Sequence, residues 1–444
     1  MERIEDILNT LGDFSCYISD RVASFPGVLN STKGDICLLC KMSIDWYQQI
    51  DKYSPLYMWG NINGIPVTLL HVYLKSGTHR GEEDSISLVF DPAEILIGQS
   101  CSEKTQVSNI SVSIPELNYM FSSPPLQPEG HLSIEHPSVL KYTFPKSIET
   151  DDKYGHLRVY QTFKEEWSRS GMSYQFLPII EYRFNRPMEV MDAVAKIAAV
   201  KNLFTFFANH ELPFEDITIK SLETKSEPYQ TSRDCILYLN HRESILTPHE
   251  PFLITTAAFS EKFKMIWNRW LQIYEEATYI SVLFYEIICN RSTRVNRFLN
   301  LSQAIEVYSK HYRKDAVEAV ARACEKTAEG KKPPIHLNHR FEDIFLLINP
   351  YLEIEKNKIS SIARSLADMR NFFTHYDEGK YVEPSYQEML AACHVLEFVL
   401  LAILYHDIGI PAESIKSSKR RAEFQRFDEF LEMLTKNYLK TPKR

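Results

Sequence analysis

Hydrophobic positions change their spacing along the chain, and this change divides it into two parts. From about residue 10 to residue 120, short apolar runs alternate with turn residues, as in residues 35–44, 64–75, 84–98 and 107–114. Similar runs occupy residues 141–144, 156–163 and 174–184. Short runs bounded by Gly, Pro, Asn and Asp are typical of β-strands. This part is therefore predicted to be mainly β, with one helix that starts at Pro187 and packs on it.

Beyond about residue 250, apolar residues recur every three or four positions, which is the period of an α-helix. The pattern predicts helices over residues 255–289, 294–311, 315–328, 338–349, 354–376 and 384–406. The last of these is apolar on nearly all sides, as expected at the centre of a bundle or at an oligomer interface. We therefore predict an α+β multidomain protein, in which a mainly β N-terminal domain precedes an all-α helical bundle.

The predicted domain boundaries follow breaks in these patterns. We place the N-terminal domain at residues 1–245, the bundle at residues 250–415 and a basic C-terminal helix or tail at residues 416–444. Residues 122–137 are rich in turn-forming residues and indicate a long loop or an internal junction of the first domain. A solvated charged face explains the basic tail, and phosphate contact is the alternative.

The charge balance restricts the partners of the protein. Its 58 acidic residues exceed its 50 basic ones, giving a net charge of −8, so any contact with nucleic acid must be local. The N-terminal residues are acidic where a signal peptide needs a basic segment, and the most apolar run, residues 398–405, is far shorter than the roughly 20 residues that cross a bilayer. We expect a cytoplasmic protein without a membrane span. The sequence contains no Gly-rich phosphate loop and no convincing set of metal ligands, so we also expect no cofactor and no metal.

Residues 363–379, ARSLADMRNFFTHYDEG, carry an arginine and a histidine five positions apart in a helical pattern. Apolar residues at 359, 362, 366, 369 and 373 predict one buried stripe. At about 100° per residue, Arg370 lies at the edge of this stripe, and Thr374, Asn371 and His375 follow it around the helix. Asn371 and His375 are i, i+4 neighbours, so the amide can orient the imidazole ring. The four polar side chains are predicted to share one face.

This pair of residue types suits the cleavage of a phosphodiester bond. A histidine exchanges protons near neutral pH, and an arginine stabilises the negative charge that a phosphate gains in the transition state. Without a metal, RNA is the feasible substrate because its own 2′-hydroxyl can act as the nucleophile. One chain supplies a single histidine, so a homodimer with a composite site is favoured. A solvated flank of a core helix is the alternative interpretation, since an isolated Arg-x4-His pair is not specific.

The sequence also resembles a known family. LADMRNFFTHYD, residues 366–377, resembles the R-x4-6-H signature of HEPN-domain ribonucleases, and residues 297–308 and 339–348 are similar to helices of the ApeA-like HEPN group. Residues 57–74, 93–98 and 113–121 resemble the β-rich N-terminal domain of that group. The resemblance implies a bacterial anti-phage protein of abortive infection that cuts RNA, with transfer RNA as a candidate substrate, without metal and as a dimer.

The resemblance assigns catalytic positions to Arg370 and His375 and a supporting position to Asn371. Thr374 is added from its place on the same helix face. Glu306 is predicted to hydrogen-bond or restrain the arginine from a neighbouring helix, or else to be an ordinary exposed glutamate. Asp368 and Tyr376 flank the motif and are candidates for substrate contact, with capping and packing as the alternative roles.

Two other functions are also compatible with the sequence. The first is a non-catalytic HEPN module that binds RNA or a partner protein, which the acidic net charge favours. The second is a toxin held silent by a neighbouring antitoxin. In the ribonuclease hypothesis, the N-terminal domain senses a phage-derived trigger or holds the HEPN site inactive.

Overall fold

A computed structural model describes the fold. The described residues are 3–32, 35–51, 53–79, 84–98, 105–121, 126–129, 139–142, 144–168, 171–212, 215–222, 232–239, 254, 259–289, 293–324, 333–376, 380–416 and 426–435. The chain divides into a β-rich unit, Met1–Lys201 with Leu212–Glu250, and a helical unit, Asn202–Glu211 with Pro251–Arg444. The predicted boundary at residues 245–250, most of the proposed junction at 122–137 and most of the basic tail lie outside the described residues.

The β-rich unit contains fourteen strands among the described residues. They are β1 Leu11–Ile18, β2 Arg21–Thr32, β3 Asp35–Ser43, β4 Leu56–Ile62, β5 Ile65–His79, β6 Ser85–Ile97, β7 Gln106–Ser113, β8 Leu126–Glu129, β9 Val139–Tyr142, β10 Ile148–Asp151, β11 Gly155–Ser168, β12 Gly171–Glu189, β13 Glu215–Leu222 and β14 Ser232–Leu239. A short helix, α1 (Ile44–Tyr47), follows β3. β8 and β9 pair with each other, and the other twelve strands form one antiparallel sheet.

The first six strands close into a barrel. Their order is β6-β3-β2-β1-β4-β5, and β5 pairs back onto β6. Alternate residues point inward, as the burial of every second residue in β1 shows, and their apolar side chains form one core cluster that includes Phe14, Phe25 and Phe90. The turn between β4 and β5 is Asn63–Gly64, both with positive φ, which is the two-residue turn that matches the twist of a hairpin.

Strand β6 connects the barrel to the rest of the sheet. One of its sides pairs with β5, whereas the other pairs first with β3 and then with β14. From β14 the sheet continues through β13, β7, β12 and β11 to β10. The prediction of a helix start at Pro187 is wrong, because this proline lies in β12, within the register shift between Arg183 and Met188 against β7. Helix α2 (Val190–Ala208) begins three residues later.

Residues 202–211, which include the end of α2, belong to the helical unit. Leu203, Phe204, Phe206 and Phe207 are completely or almost completely buried. The Phe206 carbonyl accepts a hydrogen bond from the Tyr405 hydroxyl. A segment that precedes β13 in sequence thus supplies core to the helical unit.

The remaining helices make up the helical unit. They are α3 Phe263–Glu276, α4 Thr278–Cys289, α5 Arg294–Tyr312, α6 Lys314–Cys324, α7 Leu337–Leu352, α8 Lys356–His375, α9 Tyr386–Ile408, α10 Ala412–Lys416 and α11 Phe427–Met433. α7 packs along α8, and α5 packs along both α8 and α9. The fold class is confirmed: a β-rich N-terminal part with a strand barrel precedes a helical C-terminal part.

Among the described residues, two of the predicted helices differ from the observed ones by more than a residue or two at an end. The single helix predicted over residues 255–289 is interrupted at Ala277, whose backbone leaves the helical conformation between α3 and α4. The helix predicted to end at residue 349 continues through Pro350 and ends where Glu353 takes a left-handed conformation. The side chain of Asn349 bonds to both the N–H and the carbonyl of Ile354, which fixes the turn that follows.

Helix α9 is the longest of the described helices, and most of its residues are buried. It starts with a capping box, in which the side chains of Ser385 and Glu388 each bond to the other residue's backbone N–H, and it ends at Gly409 with a φ of 85°. By length and composition it could cross a membrane, but 78% of its most apolar window is buried within the protein. Burial of this kind is consistent with a core helix of the bundle.

Candidate active site

The predicted motif lies in the last turns of helix α8. Nine of its residues are buried, including Ile359, Ile362, Leu366 and Met369 of the predicted stripe. The stripe is wider than predicted, because α8 is covered by both α7 and α5. At its end, Phe372 is buried and Phe373 is only partly buried, so the prediction of Phe373 as the last buried position needs correction.

Arg370 is held by a carboxylate from the neighbouring helix. Its Nη2 lies 3.5 Å from Oε2 of Glu306 on α5, and the two side chains are 31% and 20% exposed, respectively. Oε1 of Glu306 also lies 2.7 Å from Nζ of Lys310, one turn further along α5. The contact predicted between Glu306 and the arginine is therefore present in the geometry. It fixes one guanidinium nitrogen and leaves part of the group in contact with solvent.

His375 is the final residue of α8 and is exposed. The described residues include no hydrogen-bond partner for its ring, and Asn371, one turn earlier, is not bonded to it. The predicted orientation of the imidazole by the Asn371 amide is thus absent from this conformation. Both residues nevertheless lie on the accessible side of the helix, as the predicted polar face requires.

Thr374 turns its hydroxyl toward its own helix. Its Oγ1 donates a hydrogen bond to the carbonyl of Arg370 at 2.8 Å. A bond of this type satisfies the hydroxyl proton locally and tends to bend a helix slightly. Thr374 is therefore placed to shape the turn that carries both Arg370 and His375, while its oxygen can still accept a hydrogen bond.

Asp368 lies in the interior. It is 7% exposed, and its Oδ2 has no hydrogen-bond partner among the described residues. Burial raises the pKa of this carboxyl, and the nearby charges of Arg364 and Lys380 partly offset that rise. In this conformation the Asp368 side chain is buried beneath the motif, and it does not form part of the exposed surface.

Tyr376 ends the helix. Its φ of 49° and ψ of 39° are left-handed, and its N–H bonds to the carbonyl of Phe372. The ring is 66% exposed and packs against Phe372 and Phe373, with centroids 6.0 and 6.4 Å away. A non-glycine residue rarely adopts this conformation, so the end of α8 combines backbone strain with an exposed aromatic ring.

An aromatic contact continues from the motif to helix α5. The ring of Phe373 meets that of Phe298 at 6.3 Å. One turn before Phe298, the guanidinium of Arg294 lies 3.9 Å from the ring centroid of Tyr386, the first residue of α9. No sequence signal indicates the Arg294–Tyr386 pair, because the two residues are far apart in the chain and belong to no motif.

The described residues thus place Arg370 and His375 on one accessible helix end, with Glu306 against the arginine. Asn371 and Thr374 lie on the same side, Asp368 lies beneath it, and Tyr376 caps it. Among these described residues, no group of three or more His, Cys, Asp or Glu side chains is arranged to hold a metal ion. The arrangement offers a proton-transfer group and an anion-stabilising group at one surface.

Comparison with protein families supports the class that this architecture indicates, a β-rich domain joined to a HEPN bundle. The model of ApeA N-terminal domain 1 matches residues 12–270, and the model of the Apea-like HEPN domain matches residues 299–414. The chain belongs to the ApeA-like HEPN family, as the sequence resemblance predicted. This membership indicates an anti-phage effector of the HEPN type. No curated protein and no solved structure matches the chain.

Proposed function

We propose that the protein is a metal-independent endoribonuclease whose catalytic residues are Arg370 and His375. The observation that carries this proposal is the end of α8, where an exposed imidazole follows a guanidinium that is only partly engaged by Glu306. HEPN domains are often ribonucleases, and the matched HEPN region includes all three residues.

The chemistry follows from the two groups. A histidine removes the proton of the ribose 2′-hydroxyl, and the resulting oxygen attacks the adjacent phosphorus. Arg370 stabilises the additional negative charge on the phosphoryl oxygens, while an acid donates a proton to the departing 5′-oxygen. The products are a 2′,3′-cyclic phosphate and a free 5′-hydroxyl.

A base and an acid are both needed, and the candidate site in one chain provides one histidine. A homodimer in which two α8 ends face each other supplies the second. The exposure of His375 and Tyr376 leaves this end of the helix accessible to a second copy. Asn371 and Thr374 then support the site by positioning the last turn of α8.

The cellular role that fits this chemistry is abortive infection. Cleavage of transfer RNA in the cytoplasm would stop translation in an infected cell, and the β-rich unit would respond to a phage-derived trigger. The net charge of −8 favours a second candidate, a non-catalytic HEPN module that binds RNA or a partner protein. An antitoxin partner is a further arrangement in which the same nuclease is kept silent.

The test is end-mapping of RNA after incubation with the purified full-length protein in EDTA. Wild type should produce 2′,3′-cyclic phosphate ends, and a single 2′-deoxy substitution at the mapped site should block cleavage. His375→Ala and Arg370→Ala should each lower the rate by at least about 100-fold. The control is His311→Ala, which alters an exposed histidine elsewhere on α5.

Each other outcome points away from this proposal. Equal cleavage by wild type and His375→Ala would place the activity in a different residue or a contaminant. RNA that binds the wild type but is never cleaved would favour the non-catalytic module. Toxicity that appears only after removal of a co-purifying protein would indicate the antitoxin arrangement.

A further inference from the structure

We propose that Arg294 and Tyr386 form a binding site for one unpaired nucleobase of the RNA next to the α8 motif. The inference rests on the proposed nuclease function and specifies how its substrate is held. It concerns a pair that the matched HEPN region includes only in part, because Arg294 precedes residue 299.

The pair has the geometry of a stacking platform. The Arg294 guanidinium lies 3.9 Å from the centroid of the Tyr386 ring, while 66% of Tyr386 is exposed. One face of the ring is therefore occupied by a cation, and the ring still presents most of its surface to solvent. Aromatic rings and arginine planes are the groups on which proteins stack unpaired RNA bases.

Contacts within the helical unit link this platform to the catalytic end of α8. Phe373 of α8 meets Phe298 of α5, and Arg370 of α8 meets Glu306 of α5. Higher numbers on one helix pair with lower numbers on the other, so the two helices run in opposite directions. The His375 end of α8 therefore points toward the N-terminal end of α5, where Arg294 lies about 6 Å along the axis from Phe298.

Charge and rigidity also favour a nucleic acid in this place. Arg294 has no carboxylate partner among the described residues. Arg297, three residues further along α5, is paired with Glu397. The Arg294 carbonyl accepts a hydrogen bond from the Cys393 thiol of α9, which ties the first turn of α5 to α9. The platform thus combines an uncompensated positive charge with a supported backbone.

The experiment measures RNA cleavage and RNA binding separately. Cleavage of a fluorescein-labelled single-stranded RNA of about 15 nucleotides is followed with wild type, Tyr386→Ala, Tyr386→Phe and Arg294→Gln. Tyr386→Ala should raise KM by roughly 5- to 100-fold, the effect of losing one stacked base, with little change in kcat. Tyr386→Phe keeps the ring and should resemble wild type, as should the control Tyr53→Ala, which removes an exposed tyrosine of the β-rich unit.

Binding is measured by fluorescence anisotropy in a His375→Ala background, which separates this inference from the nuclease proposal. If wild type does not cleave the RNA but binding still depends on Tyr386, the nuclease proposal fails and the base site stands. If cleavage occurs and neither Tyr386→Ala nor Arg294→Gln changes KM or the affinity for RNA, the base site is refuted.

A third readout tests the competing occupant, a second copy of the chain. The mass of each variant is determined by light scattering at a fixed protein concentration. Unchanged mass with weakened RNA binding supports the base site. Loss of the dimer in Tyr386→Ala, with RNA binding by the remaining protein unaltered, would assign the ring to the dimer contact and overturn the inference.

Discussion

Removing residues 202–211 should prevent the helical unit from folding, even though these residues lie about 40 positions before the rest of that unit. We compare the fragment 251–444 with a fusion in which residues 202–211 are joined to Pro251 by a short Gly/Ser linker. Such a linker can span the gap, because the N–H of Ile254 bonds to the carbonyl of Phe207 at 3.2 Å. The fusion should fold, and the fragment should not.

The magnitude follows from what the segment buries. Phe204, Phe206 and Phe207 are each at most 1% exposed, and burying a phenylalanine side chain contributes about 1.5–3 kcal/mol. Deletion also removes the acceptor of the buried Tyr405 hydroxyl, which costs about 1–3 kcal/mol more. The total, on the order of 6–12 kcal/mol, is comparable with the whole stability of a typical domain, about 5–15 kcal/mol.

The aromatic partners of these rings show which core contacts the deletion removes. Phe206 packs against Trp270 of α3 and Phe284 of α4, with centroids 5.3 and 6.4 Å away. Phe207 lies 4.9 Å from Phe259. Without the segment, these rings line an open hydrophobic surface. The bundle should therefore lose cooperative unfolding and expose apolar groups to solvent.

The assay is thermal unfolding followed by circular dichroism at 222 nm, together with binding of a hydrophobic dye. The matched control is the same fusion with all three phenylalanines changed to alanine, which keeps the backbone and linker. It should behave like the bare fragment. A fragment 251–444 with the same helix content and the same cooperative transition as the fusion would refute the reasoning.

Substitutions along α8 and in its neighbour give three further expected results. Glu306→Gln should lower kcat by on the order of 10- to 100-fold through misplacement of Arg370, with the unfolding free energy changed by less than about 1 kcal/mol; faster turnover would instead show that Glu306 restrains the arginine. Burial raises the pKa of Asp368 above its ordinary 3.8, so ionisation of this carboxyl costs stability as the pH rises through the raised value. Asp368→Asn should therefore raise Tm at pH 7 but not at pH 3, and an equal shift at both pH values would contradict this. Tyr376→Gly should be about 1 kcal/mol more stable to urea than Tyr376→Ala because of the left-handed backbone, an ordering whose reversal would count against strain at this residue.

The ends of α8 illustrate how far sequence reasoning reaches. Periodicity predicted a helix over residues 354–376, and the observed helix is Lys356–His375, because a regular apolar stripe and local backbone preferences determine most of a helix. The apolar stripe predicts Phe373 as the last buried residue, but Phe372 is the buried one. Which of the two is buried depends on which helices cover α8. That information is absent from the helix's own sequence.

Long-range contacts explain the remaining differences. The Arg294–Tyr386 pair and the burial of Phe206 beneath α3 and α4 join residues that are distant in the chain, and neither carries a motif. The contact between Glu306 and Arg370 could be predicted, because Glu306 lies in a segment that resembles a HEPN helix. The contact requires only that this helix pack beside α8. The sequence around Pro187 does not distinguish a helix start from a strand irregularity, because proline is common at both.

The long apolar helix α9 has a consequence for the lifetime of the protein. When the bundle unfolds, a 23-residue segment with a mean hydropathy of 1.8 over its most apolar window loses its cover. An apolar segment exposed in an unfolded chain favours aggregation over refolding, so we expect heat inactivation to be irreversible. The half-life of the effector between infections is then governed by the rate at which the bundle opens, and scan rate should shift its apparent melting temperature.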